Sequence, residues 1–296
     1  MLGLAAGDAA GGAWELGYSA ITEQATVIAY QLIEATELDI ARVEHSIREL
    51  DGSEIEEPVY RAESMHFRAW LSREGPVKST PSLDGGARAV PLGVAFRREP
   101  AELAGAALEL GLLFHSDPAA VATGVVTASA VAASCFGQAG RDLIAGVVES
   151  MQLAAQSPAM PTGWSQWGPM VDEVGALWDV VAPLDAEEAL ATVGSGPAPE
   201  PWDLTKAGLL LAAPQADRPH VPVEQAARVG GSALASIVGG IIGARVGIRA
   251  WPWAFANDTW FAEIGRRLVR GPREVRDLPI PYAVEQHLIS GERDFH

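Results

Sequence analysis

Asp8 and Glu15, within GLAAGDAAGGAWELGY, and Thr22, Glu23 and Gln24, within ITEQAT, are the side chains near the start of the chain whose types and spacing could do chemistry. A carboxylate on a helix crowded with Gly and Ala is either costly or useful, because such a face lets another backbone come close. On a continuous helix Asp8 and Glu15 lie about two turns apart, on one face and with ~10 Å of axial separation. Spacing alone favours a structural role, with Asp8 bonded to a neighbouring backbone and Glu15 at a helix end. His115, just before an Asp117-Pro118 helix start, reads by itself as a charge partner for a helix C-terminus. Arg266, Arg267, Arg270, Arg273 and Arg276 read as a solvated basic helix end.

The elements that must position these residues are helical. Apolar spacing predicts helices over 22–35, 37–50 and 62–73. The segment 74–93 is punctuated by Gly and Pro and is expected to be a loop leading into a short helix at 89–97. Further helices are predicted over 101–115, 118–136 and 139–155, with Asp117 as N-cap and Pro118 at the first helical position. A Pro-, Gly- and Trp-rich stretch from 156 to 202 is interrupted by helices at 171–180 and 185–192. Helices at 203–212, 222–249 and 258–270 follow, with one further turn near 282–289. The 222–249 helix carries Gly239, Gly243 and Gly247 at four-residue spacing, with Gly230, Gly231 and Gly240 nearby. Each glycine costs helix stability, about 1 kcal/mol against alanine, so close approach of another backbone must compensate. Residues 2–13, crowded with Gly and Ala, supply such a partner. No alternating strand pattern, internal repeat or linker is evident, and the chain reads as one all-α domain.

The totals bound the function. The 296 residues are 48% hydrophobic, enough for a closed core, and the formal net charge of −17 opposes nucleic acid and anionic membrane. Cys135 is the single cysteine, which excludes an intrachain disulfide and points to a reducing, cytoplasmic setting. No secretory signal is expected. The apolar stretches 118–136 and 229–244 read as central bundle helices, and no membrane partner is expected.

Taken in order, GLAAGDAAGGAWE, ITEQAT, DGGARAVPLG, FHSDPAA and VGGSALASIVGGIIGARVG resemble the ADP-ribosylglycohydrolase family. The resemblance runs from Leu2 to about Leu268, and its most specific parts are the head and the late glycine helix. It implies a single compact orthogonal helical domain over 1–270, with the tail 271–296 docked on it. The family removes ADP-ribose from arginine, from serine and from dinitrogenase reductase, using two magnesium ions at the mouth of a cleft. Their ligands are a Glu seven residues after the head Asp, a Thr-Asp-Asp cluster and a late Asp-x-Asp-Thr. By this resemblance the first is Glu15, the cluster has become Thr22-Glu23-Gln24, and the late motif falls at Gly230-Gly231-Ser232-Ala233. His115 matches a family histidine, with Phe114 where Thr is common. Arg88 matches an arginine before Pro-Leu-Gly, in a segment one residue shorter.

The resemblance therefore implies a relative without a resident metal, holding at most one magnesium weakly. The expected function is a pseudoenzyme that binds ADP-ribose, a related nucleotide or an ADP-ribosylated protein. Asp8, Thr22, Gln24, Arg88, His115, Gly230, Gly231 and Ser232 are the expected ligand-binding residues. An alternative is an active hydrolase of an ADP-ribosyl or other glycosidic bond, with Glu15 or Glu23 as general acid/base and an altered or metal-independent mechanism. A partner-binding scaffold with a closed cleft is the other.

Overall fold

Small side chains let helices run through the middle of this molecule, where bulkier ones would hold neighbours apart. The computed structural model describes residues 1–13, 18–35, 37–51, 60, 64–73, 76, 82–179, 184–247, 251 and 257–271. Among these residues the chain forms thirteen α-helices and no strand. They are α1 (Leu2–Asp8), α2 (Ala20–Glu34), α3 (Ile40–Asp51), α4 (Met65–Leu71), α5 (Asp84–Ala95), α6 (Pro100–Phe114) and α7 (Pro118–Cys135). After them come α8 (Gly140–Ala155), α9 (Trp167–Gly175), α10 (Ala186–Thr192), α11 (Pro201–Ala212), α12 (His220–Val246) and α13 (Asp258–Arg270).

Helix α7 is the axle. Its sequence, PAAVATGVVTASAVAASC, has no charge, and 89% of it is buried. Asp117 starts it by accepting the Ala120 amide at 3.0 Å, and Pro118 occupies the first turn, as the sequence predicts. Helices α5, α6, α8, α11 and α12 pack around it. One contiguous apolar core runs from Leu4 through Ile28, Phe114, Val125 and Ile237 to Phe261. Length and composition alone would let α7 and α12 cross a membrane; in the molecule they are core helices, α12 with half its apolar stretch buried.

Helices α1 and α12 meet backbone to backbone. A Cβ added at Gly3 would lie 2.2 Å from the Gly239 carbonyl oxygen, and one at Gly7 would lie 2.0 Å from that of Ala235. The expected glycine seam is therefore present at Gly239 and Gly243, whereas Gly240 meets Val90 of α5 and Gly247, expected on the same stripe within a helix reaching 249, is the cap just past the end of α12, with φ +74°.

Three expectations are corrected. The head is not one helix through Glu15: α1 ends at Asp8, and a wide turn over Ala9–Ala13 breaks at Gly12, with φ +130°. The one-face argument for Asp8 and Glu15 falls with it. Helix α12 is interrupted at Gly231, with φ +61° and ψ −158°, a conformation that favours glycine. Helix α5 begins at Asp84, five residues before the expected start, and continues through Pro91. Its glycines punctuate nothing: a Cβ at Gly86 would sit 2.5 Å from Ile237 Cδ1. Burial of Asp84–Val94 outweighs the local cost of proline. The expected tail, apart from Gly271, lies outside the described residues.

Candidate functional site

The site is best built from Asp8, the last residue of α1. Its carboxylate has no exposure to solvent and accepts the Ser19 amide at 2.8 Å and the Thr22 hydroxyl at 2.8 Å. Ser19 Oγ lies 2.8 and 2.9 Å from its two oxygens. Ser19 is also the N-cap of α2, accepting the Ile21 amide at 3.3 Å. Asp8 thus clasps the start of α2 to the end of α1, beside the positive end of the α2 dipole. Burial raises its pKa, and the hydrogen bonds from Ser19 and Thr22 oppose that rise. Thr22, Glu23 and Gln24 follow in the first turns of α2, all buried.

The interrupted part of α12 closes on the same point. Ser232 donates its hydroxyl to the Asp8 carbonyl at 3.1 Å, and Gly11 lies so near that a Cβ there would be 2.2 Å from Ser232 Cα. The structure thus brings Asp8, Thr22 and Ser232 together, and Gly230, Gly231 and Ser232 keep partial exposure where the others have almost none. Glu15 lies outside the described residues.

A second cluster adjoins the first through Gln24. Arg88, on α5, is fully buried. Its Nε donates to Gln24 Oε1 at 2.5 Å, Nη2 lies 3.6 Å from Asp84, and Nη1 lies 3.4 Å from His115 Nε2. The guanidinium carbon stands 4.0 Å from the centre of the Phe114 ring and 5.6 Å from that of Phe67. Burial lowers the Arg88 pKa to about 10, with Asp84 opposing, so the group remains a cation at neutral pH.

His115 is held neutral, its pKa lowered first by burial and then by His66 and Arg88. This is not the charged helix-end histidine that its sequence position suggests. Its ring stacks on His66, with centroids 4.1 Å apart and planes 19° from parallel. Burial, then Arg88, lowers His66 to about 4. His115 Nδ1 is buried without a hydrogen-bond partner among the described residues, and a backbone contact to Phe114 opposes the fall at His66. Sequence reasoning passed over His66 and the Asp84–Arg88 pair. The signals available were His66 on the buried face of a short helix and the four-residue spacing from Asp84 to Arg88. Ser64, the N-cap of α4, donates to Asp84 and ties the two helices together.

The last basic helix end is also less solvated than expected. Arg267 is buried and, with Arg266, pairs with Glu263. Arg273 and Arg276 lie outside the described residues.

No curated protein matches the chain. The model of the ADP-ribosylglycohydrolase family matches residues 1–277, which covers the head, the Thr22–Gln24 turn, the Arg88 and His115 cluster and the late glycine helix. With an all-α architecture bringing these same motifs together, the chain belongs to the ADP-ribosylglycohydrolase family.

Proposed function

We propose that this chain is an ADP-ribosylglycohydrolase-like receptor that binds ADP-ribose or a related nucleotide, free or attached to protein, without a magnesium pair. The observation that carries this reading is Ser232. In the stretch where the family places two aspartates and a threonine, this chain has one hydroxyl, and its proton goes to the Asp8 carbonyl at 3.1 Å. A pair of hard dications needs several oxygen ligands and several negative charges. Both Asp8 oxygens are engaged by Ser19 and Thr22, and Gln24 Oε1 accepts from Arg88. Among the described residues no group of three His, Cys, Asp or Glu side chains is placed to hold an ion. With Glu15 outside the described residues, Glu23 is the one carboxylate at the described ligand positions, and this shortage of negative charge supports the reading without a magnesium pair.

The partly exposed Gly230–Ser232 stretch beside Gly11, kinked at Gly231, is the place in this cluster where an anionic diphosphate can approach the backbone. Buried Glu23 supports a second reading, a hydrolase that uses Glu23 with Glu15 as acid and base. Calorimetric titration of ADP-ribose, once with magnesium and once with a chelator, tests the first reading. Equal binding in both is expected, and binding only with magnesium overturns it. Release of ADP-ribose from modified peptides in chelator, lost in Glu23→Gln, would instead favour the hydrolase.

A further inference from the structure

We propose that an apolar cavity at one end of the bundle is the docking site for residues 278–284 of the chain's own C-terminal tail. The cavity, of about 310 Å³, lies between the start of α1, the middle of α5, the end of α7, and α12 and α13. Leu2, Val90, Val94, Phe261 and Val269 line it, with glycines of α12. Arg266 is the one charged side chain in its wall, and Glu263 pairs with it, so no polar cluster is placed to orient a polar ligand. The apolar surface continues outside. Val269 is 49% exposed, while Phe136 and Val246, 56% and 39% exposed, adjoin the wall residues Cys135 and Gly247 in sequence. Exposed apolar surface that rims a cavity marks a place that something covers.

The origin of the tail favours it as that cover. Helix α13 stops at Gly271, where φ is +88°, and Arg266 and Val269 in its last turns already line the cavity. Arg97 braces this junction, donating to the carbonyls of Val94 at 2.8 Å and Val269 at 3.1 Å. From Gly271 to Leu278 an extended chain spans up to ~23 Å, ample for a return to the cavity. The segment from 278, LPIPYAV, has no charge. Most of the cavity wall is helix side, whose backbone groups are bonded within the helix, so an occupant's amides find few partners there. Pro279 and Pro281 have no N–H to leave unpaired, and their fixed φ favours an extended segment. The family match stops at 277, so this segment is a feature of this chain beyond the family's common part.

Cys135, the single cysteine, stands in the cavity wall and reports whether the cavity is covered. The test compares the full chain with the double variant Leu278→Asp/Ile280→Asp, each folded by circular dichroism, in the rate of alkylation by iodoacetamide. The variant is expected to react at least about tenfold faster, because a covered thiol reacts only while its cover is lifted. Equal rates overturn the inference. A second variant, Ile280→Cys, identifies the occupant. A short bismaleimide is expected to join residues 135 and 280 within one chain, at a yield independent of protein concentration. A link between two chains that grows with concentration assigns the cavity to a second copy and overturns the inference, as does the absence of any 135–280 link. Should the charged variant not fold, the crosslink decides alone. Neither readout involves ADP-ribose or magnesium, so this result and that of the proposed function stand apart.

Discussion

At position 88 a fully buried guanidinium depends on one carboxylate, one amide oxygen and two aromatic rings. Arg88→Met removes the charge that compensates Asp84, and breaking a buried pair from one side costs about 3–5 kcal/mol. Denaturant unfolding should show a loss of that order. The stacked histidines make a second, pH-dependent prediction. His66 titrates at about 4 in the folded chain against 6.5 unfolded, and His115 is displaced in the same direction. Between those values the unfolded chain binds more protons, so the stability associated with the neutral rings is full above pH 6.5 and lost towards pH 4. Melting temperature should fall on acidification through that window, and His66→Phe should flatten the slope. A slope unchanged by His66→Phe would contradict this account. The residues of this site were unequally visible in the sequence. Arg88 and His115 sit in ordered motifs, whereas the stacking of His66 on His115 is a tertiary contact with no local period.

The seam between α1 and α12 belongs to the scale of elements. Gly7→Ala places a methyl group 2.0 Å from the Ala235 carbonyl oxygen, and backbone on both sides leaves nowhere for it to turn. A loss of about 3 kcal/mol or more is expected, at the upper end of overpacking, measured by thermal or denaturant unfolding. Asp117→Ala removes the side-chain cap of α7 and should cost about 1 kcal/mol. Helix existence was legible where an apolar face repeated, as in α2 and α8, or where a capped run carried no charge, as in α7. The failures have a common cause. In the head, in α5 and at Gly231, glycine serves close packing at one position and a left-handed backbone at another, and a single sequence does not say which. The start of α5 was missed because Gly85 and Gly86 resemble a turn, although their neighbours are helices α7 and α12.

At the scale of the whole molecule, family membership and the all-α class were both legible, because they rest on motif order and on repeated helical periodicity. A structural Asp8 bonded to neighbouring backbone was legible, as the Ser19 amide bears out, but its hydroxyl partners Ser19 and Thr22 were not, since they depend on α1 ending where the sequence suggested that it continued. If the proposed receptor holds no ion, removal of divalent ions by dialysis against chelator leaves the melting temperature unchanged to within about 1 °C, because there is no linkage free energy to lose. A fall restored by magnesium would count against the proposed receptor. The contact between Ser232 and Asp8 joins positions 224 residues apart. During synthesis at ~5–20 residues per second, α1 therefore waits on the order of ten to fifty seconds for its partner to be made. Until then its glycine-lined surface has no mate, and any product truncated before α12 leaves the ribosome with that surface uncovered. The seam is thus a late checkpoint in biogenesis, at which nascent chains become dependent on chaperones if α12 is delayed or altered.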